Sequence, residues 1–339
     1  MFLKIKYCLF SLLMLFALLS CNKEGGQQRN RVYILTDISS LKSDIGEPDD
    51  TQSLIRFLLY ANEFDIEGFG ATYSSHGDTI YPQYLEKVLY TYGQSIDKLK
   101  RYGDYPEACE LMHKIKKGNP AKGVNQIGEG KDTELSEHII EVLKKSDNRP
   151  LWVLIWGGSL DLAQALWRIR ESIPEEKAGK LIRMLRVYSI LDQYDKSGQW
   201  IRENFKDLFF ILNNGSFRGV YRTGNTDLVS SEWVEANILS NPAPLAQMYP
   251  NYNGGDPWGK VKGVKEGDSP SFLYLLPHSP GDPENPEMDS WGGNFKRVEG
   301  SNHYVDCQFG EALSVAGNIS KWRMEFQSDF IKRLSWLME

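Results

Sequence analysis

The sequence is poor in the residues that build redox, zinc and nucleic-acid sites. It contains four cysteines and five histidines in 339 residues, and none of them has the spacing of a zinc site. Lysine and arginine total 39 against 45 aspartates and glutamates, for a net charge of −6, and they form no basic stripe. A strongly negative partner such as a nucleic acid is therefore not expected.

Long apolar runs are also missing, apart from one at the start of the chain. Residues 1–7 carry positive charge, and the apolar run 8–19 is short for a membrane span. Residues 18–21, Leu-Leu-Ser-Cys, resemble a bacterial lipobox, which implies cleavage before Cys21 and lipidation of that residue. The alternatives are an ordinary signal peptide or an uncleaved anchor.

The lipobox predicts three parts of the chain. Residues 1–21 would be a lipoprotein signal peptide, residues 22–30 a flexible tether, and residues 31–339 one large domain. The mature protein would be extracytoplasmic and held to a bacterial membrane, the outer membrane in particular, by lipid alone. After processing only Cys109 and Cys307 stay unmodified, and the sequence leaves open whether they pair.

Strand-like and helix-like patterns alternate through the first two thirds of the chain. This alternation predicts an α/β fold with a mainly parallel sheet and helices on both faces. Residues 241–300 are rich in glycine, proline, asparagine and aspartate, which predicts a loop-rich final third. The expected strands are 31–35, 64–72, 150–156, 184–190 and 208–212, and the expected helices are 51–60, 83–92, 135–145, 160–170 and 319–338.

The densest acidic group follows the first predicted strand. In open α/β sheets ligands bind outside the carboxyl ends of the strands, so this position predicts a site. Carboxylate oxygens are hard ligands that suit calcium or magnesium. The alternative is that Asp49 or Asp50 only caps the following helix. The five carboxylates of residues 36–50 are Asp37, Asp44, Glu47, Asp49 and Asp50.

Other predicted strands also end in polar side chains. Each of these residues could merely cap a helix or shape a turn. Parallel strands, however, deliver their carboxyl ends to one edge of the sheet, so together the residues predict one convergent site. They are Ser75 and His76, Ser159 and Asp161, Asp192 and Asp195, with Asp268 before a later apolar segment.

Several of these segments resemble the calcium-dependent nucleoside hydrolases. Residues 34–37, Ile-Leu-Thr-Asp, followed by Asp49-Asp50 are similar to the opening strand and Asp-rich loop of those enzymes, and residues 157–166 are similar to a later glycine-containing segment. Longer phrases resemble a subgroup with a nucleoside hydrolase-like domain that is described as cellulose-binding. Those phrases are residues 47–50, 56–63, 192–195, 200–205, 267–275 and 290–293.

The resemblance implies roles for individual residues. Asp37 would ligate calcium and act as the base on a metal-bound water, while Asp49 would hold sugar hydroxyls. Asp50, Asp268 and the main-chain carbonyl of Leu160 would be further calcium ligands. The remaining implied or inferred substrate-binding residues are Glu47, Ser75, His76, Asp161, Asp192, Asp195, Trp200, Arg202 and Trp291.

The sequence also departs from those enzymes at two places. The eleven residues between Asp37 and Asp49 make a longer loop, so Asp44 or Glu47 could join the ligands. Gly267 stands where the enzymes have a histidine that assists departure of the base. Trp200 and Trp291 could stack on a sugar face or pack in the core.

These observations favour a lipid-anchored hydrolase of glycosidic or N-glycosidic bonds that uses a bound calcium ion. The alternative is a non-catalytic protein that binds a cellulose-like polysaccharide on the same fold. Both interpretations make the partner a saccharide or a nucleoside-like small molecule, with no nucleic acid. Neither the linkage nor the oligomeric state follows from the sequence.

Overall fold

An eight-stranded sheet runs through the described part of the protein. The computed structural model describes residues 28–42, 48–74, 79–192, 195–254, 261–306 and 315–338. In space the strands follow the order β3-β2-β1-β4-β5-β6-β8-β7, and every neighbouring pair is parallel except β7 and β8. The strands are β1 Asn30–Thr36, β2 Phe64–Ala71, β3 Ile115–Lys117, β4 Leu151–Ile155, β5 Leu185–Ile190, β6 Phe209–Asn213, β7 Phe295–Arg297 and β8 His303–Asp306.

Helices cover the sheet, and several match the predicted ones to within a few residues. The longer helices are α1 Pro48–Leu58, α2 Pro82–Gly93, α5 Glu134–Leu143, α6 Leu160–Ser172, α7 Glu175–Arg183, α8 Ser197–Asn204 and α13 Arg323–Ser335. The shorter ones are α3 Ile96–Leu99, α4 Ala108–His113, α9 Ser231–Val234, α10 Pro244–Gln247, α11 Pro270–Leu273 and α12 Gly317–Ser320. Single 3-10 turns lie at Ala61–Glu63, Val124–Gln126, Ser216–Val220 and Thr226–Val229, and a π-helical turn follows α9 at Glu235–Leu239.

The central strand β1 shows why the sheet is covered on both faces. Val32 and Ile34 belong to one hydrophobic cluster, and Tyr33 and Leu35 belong to the cluster on the opposite face. All four side chains are 0% exposed, because successive residues of a strand point to opposite faces. The predicted α/β fold with a mainly parallel sheet and helices on both faces is confirmed.

The final third contributes more to the sheet than its loop-rich composition predicts. Strand β8 pairs in parallel with β6, and β7 closes this edge as the antiparallel strand. Strand β3 forms the opposite edge beside β2. These three strands have three or four residues each, and the sequence analysis missed all of them.

The predicted leader lies outside the described residues, as do Cys21, Asp44, Glu47, Ser75, His76 and Cys307. Across the part of the chain that the structure does describe, no helix has the length and apolar character needed to cross a bilayer. Cys109 is an exposed free thiol in α4.

The topology places the carboxyl ends of β1, β2, β4, β5 and β6 at one edge of the sheet. We call this the carboxyl edge. Most of the residues singled out from the sequence follow one of these strand ends, so this edge is where a site is expected.

Candidate functional site

Asp37 is the first residue after the central strand β1, and its side chain is 4% exposed. It packs directly against Gly157, which follows β4. A Cβ atom on Gly157 would lie 2.6 Å from the Asp37 Oδ1 atom, a distance that would force one of the two residues to move. Glycine at position 157 therefore leaves the space that the Asp37 carboxylate occupies.

Helix α1 brings a second pair of carboxylates to the same place. It begins at Pro48, so Asp49 and Asp50 lie in its first turn, where the helix dipole favours negative charge. Asp50 is 3% exposed and accepts a hydrogen bond from the Thr36 hydroxyl at the end of β1. Asp50 is thereby held next to the strand that delivers Asp37.

Asp268 approaches the carboxyl edge from the final third of the chain. Its side chain is 4% exposed, and its main-chain oxygen accepts hydrogen bonds from the amide and hydroxyl of Ser271. A Cβ atom on the preceding residue, Gly267, would lie 3.7 Å from Asp49 Oδ2. The segment that contains Asp268 therefore lies against the first turn of α1.

These carboxylates do not by themselves make a complete metal site. Within the described ranges, no group of three or more histidine, cysteine, aspartate and glutamate side chains is arranged to hold an ion. Leu160, the predicted carbonyl ligand, is the first residue of α6, so its carbonyl oxygen points along the helix axis toward an intrahelical partner. The predicted calcium site therefore stays a prediction.

A second polar group lies beside Asp37, on the far side of the Gly157–Gly158 backbone. Tyr73 follows β2 and packs against Gly158, where an added Cβ atom would lie 2.2 Å from the Tyr73 ring. Burial, followed by the interactions with Asp195 and the charge of Asp37, raises the pKa of Tyr73 well above its ordinary value. The phenol is therefore a protonated group that lies near two carboxylates.

Asp195 is held by the first turn of α8. Its Oδ1 atom accepts hydrogen bonds from the Ser197 amide at 3.0 Å and the Ser197 hydroxyl at 2.8 Å, and that hydroxyl lies 2.6 Å from the hydroxyl of Ser159. The Asp195 Oδ2 atom and the Tyr73 hydroxyl are both buried and make no hydrogen bond to the described residues.

A cavity of about 480 Å³ opens above these two groups. Its volume falls within the roughly 300–1,000 Å³ that is usual for small-molecule sites. Sequence analysis missed Tyr73, although it directly follows a predicted strand, and it missed Lys122 and Asn125, for which the sequence carries no signal. The lining residues are Tyr73, Lys122, Gly123, Val124, Asn125, Asp195 and Lys196.

Asp161, a predicted substrate-binding residue, has a different environment. It is 1% exposed, and it accepts hydrogen bonds from the Asn119 amide and, at 2.6 Å, from the Thr133 hydroxyl. Burial raises its pKa to about 6, against the opposing effect of these hydrogen bonds. Asp161 therefore anchors the loop that carries Lys122 and Asn125, and its role in substrate binding stays a prediction.

Asp192 and Arg202 are engaged with each other. Arg202 donates through both terminal nitrogens to the two Asp192 oxygens, one of them at 2.7 Å, and its guanidinium carbon lies 5.2 Å from the Phe210 ring centroid. Gly198 leaves room for this pair, because a Cβ atom there would lie 2.4 Å from Asp192 Oδ1. The paired geometry indicates that both residues brace α8 against the end of β5.

Neither predicted sugar-stacking tryptophan is among the described residues that line the cavity. The Trp291 ring is 6% exposed and packs 5.0 Å from His278, centroid to centroid, so the structure places it in the core. Trp200 packs edge-on to Phe205 at 5.9 Å, with the Arg170 guanidinium 5.7 Å from its ring. Both rings therefore have packing partners in the folded chain, and stacking on a sugar stays a hypothesis.

Comparisons with known proteins were made for the whole chain. A model of the family described as "Cellulose-binding Sde182, nucleoside hydrolase-like domain" matches residues 31–295. Among solved structures, the chain is similar to a nucleoside hydrolase-related hypothetical protein from Saccharophagus degradans that is associated with carbohydrate metabolism. The two share 30% sequence identity with a TM-score of 0.75, over 92% of this chain and 72% of that one. No curated protein matches the sequence.

Proposed function

Because the chain belongs to the nucleoside hydrolase-like domain family of cellulose-binding Sde182, we propose that it hydrolyses a glycosidic bond of a saccharide at its carboxyl edge. The position of Asp37 is the observation that carries the proposal. This carboxylate is buried at the end of β1, against Gly157, and its charge reaches Tyr73 beside the cavity. Such a group is suited to accept a proton from a water that attacks an anomeric carbon.

Other residues of the carboxyl edge lie where they would assist hydrolysis of the glycosidic bond. Asp50 and Asp268 add negative charge near Asp37, which compensates the positive charge that develops on the sugar ring in an oxocarbenium-like transition state. The sugar would occupy the neighbouring cavity, which Tyr73 and Asp195 help to line. An N-glycosidic bond, as in a nucleoside, is a second possible target of the same arrangement.

The proposal is tested by measuring turnover of a library of aryl glycosides, oligosaccharides and nucleosides. Asp37→Asn keeps the size of the side chain and removes the base, so we expect turnover to fall by roughly 10²–10⁴-fold. The matched control is Asp97→Asn, a change at an exposed aspartate of α3, which should keep full turnover. Equal activities of the two variants would reject Asp37 as the base.

Calcium is a separate part of the proposal. Asp37, Asp50 and Asp268 offer hard oxygen atoms at one edge, and we propose that they contribute ligands to a calcium ion. The steps above do not depend on the ion. Thermal unfolding in calcium and in chelator should then differ, because an ion that binds only the folded state stabilises it. Identical curves, together with no bound calcium in elemental analysis, would reject the site.

We further propose that the protein is extracytoplasmic and is anchored through lipid on Cys21, on the strength of the lipobox-like residues 18–21. The wild-type chain, expressed in a bacterium, should incorporate labelled fatty acid and fractionate with membranes. Cys21→Ala should abolish both. Membrane fractionation of the variant without incorporated label would instead indicate an uncleaved anchor.

A non-catalytic saccharide-binding function is the second candidate, and Gly267 favours it. The enzymes that the sequence resembles have a histidine there, and this residue is the one that would assist departure of the leaving group. Saccharide binding without turnover of any library member would establish this alternative. A cellulose pull-down with soluble cellotetraose as competitor would then test the polysaccharide named in the family description.

A further inference from the structure

Helix α6 presents a stripe of polar side chains to the loop that forms one wall of the cavity. The stripe consists of Asp161, Gln164 and Arg168, and the loop is residues 119–133, between β3 and α5. We propose that Gln164 is a positioning residue for saccharide recognition, because it fixes this loop in place before a saccharide binds. The inference rests on the proposed function, since it assigns a role to a residue that acts on the same cavity.

The loop has little structure of its own. Across residues 119–133, all of which the structure describes, the only regular element is the 3-10 turn Val124–Gln126. Ile127 packs against a hydrophobic cluster, whereas Val124 is 41% exposed. Residues 122–125 nevertheless line the cavity. A wall with so little apolar burial depends on hydrogen bonds to its neighbours for its position.

The Gln164 side chain holds the loop through both of its polar atoms. Its Oε1 atom accepts a hydrogen bond from the Gly128 amide at 2.8 Å, and its Nε2 atom donates to the Gly128 carbonyl at 2.9 Å. The same Nε2 atom donates to Asp132 Oδ1 at 2.8 Å, so both hydrogens of the side-chain amide are used. Gln164 is 1% exposed, and these bonds therefore form away from bulk water.

The backbone of Gly128 is shaped for this contact. Its φ of 142° is a conformation that glycine adopts readily and other residues rarely do. An added Cβ atom would meet no described atom within 4 Å, apart from the chain neighbours, so the conformation and not a lack of space accounts for the glycine. In this conformation the amide and the carbonyl of Gly128 both reach Gln164.

Two contacts with α6 enclose the part of the loop that lines the cavity. Asp161 accepts a hydrogen bond from the Asn119 amide at 3.0 Å, before residues 122–125, and Gln164 holds Gly128 after them. Both contacts come from one rigid helix. The position of the cavity wall is therefore set from both sides.

Arg168 reinforces the Gln164 contact from the next turn of α6. It pairs with Asp132, which also accepts from Gln164, and it donates to Glu129 Oε2 at 3.0 Å. The Arg168 pair and its hydrogen bond hold the Asp132 pKa below its usual value, so this carboxylate stays charged at neutral pH. Gln164 thus has a fixed acceptor on the loop as well as the Gly128 backbone.

A fixed wall favours binding over chemistry. When the binding-competent conformation is only partly populated, apparent affinity falls by the populated fraction. Release of residues 122–125 would lower that fraction, whereas Asp37, the proposed base, lies outside the loop. Loss of Gln164 should therefore raise KM and leave kcat almost unchanged.

Hydrogen–deuterium exchange tests the structural step without any saccharide. Gln164→Ala should raise exchange within residues 119–133 by about tenfold, because several hydrogen bonds to the loop are lost together. Gln247→Ala is the matched control, since this glutamine donates to the carbonyls of Leu239 and Asn241 and does not line the cavity. Exchange in the loop should be unchanged in the control.

A second variant guards against a folding defect. Gln164→Glu keeps the size of the side chain, but it cannot donate to Gly128 and it places a second negative charge against Asp132. We expect it to raise exchange in the loop at least as much as Gln164→Ala. Unchanged exchange in both variants would overturn the inference.

Steady-state kinetics and calorimetry test the role in recognition. The probes are 4-nitrophenyl β-D-glucopyranoside for turnover and cellotetraose for binding, or the library member that the wild-type protein prefers over them. In Gln164→Ala we expect KM and Kd to rise about tenfold and kcat to change less than twofold, with all three unchanged in Gln247→Ala. Faster exchange with unchanged KM and Kd would reject the role in recognition and leave the proposed function intact. If the wild-type protein neither binds nor hydrolyses any library member, the proposed function fails and the recognition role fails with it, whatever the exchange result.

Discussion

Two buried polar clusters in this protein differ in how completely their carboxylates are paired. In the first, the ion-pair cluster, Arg56 of α1 and Glu266 are both 0% exposed, and the Glu266 carboxylate uses both oxygens. Its Oε2 accepts from Arg56 at 2.9 Å and from Ser269 at 2.8 Å, and its Oε1 accepts from Tyr249 at 2.6 Å. In the second, the cavity cluster, Asp195 Oδ2 and the Tyr73 hydroxyl are left without a partner among the described residues.

The ion-pair cluster has a structural role, whereas the cavity cluster contributes residues to the wall of the cavity. The ion-pair cluster joins α1, whose first turn carries Asp49 and Asp50, to the segment that leads into Asp268. It therefore holds acidic residues of the carboxyl edge together. Protein interiors usually pair their polar groups, because an unpaired one costs free energy. Asp195 Oδ2 and the Tyr73 hydroxyl are therefore exceptions, and both belong to residues that line the cavity.

The largest expected effect comes from breaking the ion-pair cluster. Glu266→Ala leaves the Arg56 guanidinium charged and buried, so we expect the free energy of unfolding to fall by about 3–5 kcal/mol. Glu284→Ala is the control, because it removes an exposed carboxylate that pairs with Arg186 and should cost at most about 1 kcal/mol. Urea denaturation measures both, and similar losses would contradict the assigned structural role.

A smaller effect is expected from Gly158→Ala. The added methyl group would lie 2.2 Å from the Tyr73 ring and must displace it, which should cost about 1–3 kcal/mol and weaken saccharide binding. Gly267→Ala is the matched control, since its methyl group would lie 3.4 Å from the nearest atom, in Phe217. We expect the control to change stability by no more than about 0.5 kcal/mol. Equal effects in thermal and urea unfolding would show that Tyr73 is not held by this contact.

The smallest effect on stability is expected from Tyr73→Phe. This variant tests most directly whether the cavity cluster is less completely paired than the ion-pair cluster. Removing a buried hydroxyl that has no partner should leave the free energy of unfolding within about 0.5 kcal/mol of wild type, or raise it. Tyr188→Phe provides the contrast: that hydroxyl donates to the Gly292 carbonyl at 2.6 Å and accepts from Asn213 at 2.9 Å, so its loss should cost about 1–3 kcal/mol. A loss of that size in Tyr73→Phe would mean that its hydroxyl is already paired in the free protein.

Much of the fold was predictable because the central strands are buried on both faces. Their near-continuous apolar runs mark β1, β4, β5 and β6 without knowledge of their neighbours. Strands β3 and β7 are short and lie at the edges of the sheet, and β8 is also short. Their strand conformation depends on pairing with distant residues, as in the contact of Phe210 with His303, which no local pattern reveals.

The candidate site likewise has features that the local sequence predicts and features that depend on the folded chain. The sequence by itself determined that Asp37, Asp50, Asp161, Asp192 and Asp195 would lie near strand ends, because the end of an apolar run is a local property. Only the tertiary structure decided what each carboxylate does. Asp161 accepts hydrogen bonds from Thr133 and Asn119, and Asp192 pairs with Arg202. Asp195 is held through one oxygen by Ser197, and its other oxygen has no partner among the described residues. The physical reason is that hydrogen-bond and ionic partners are set by distance in space, and the loop that supplies Thr133 and Asn119 reaches Asp161 only in the folded chain.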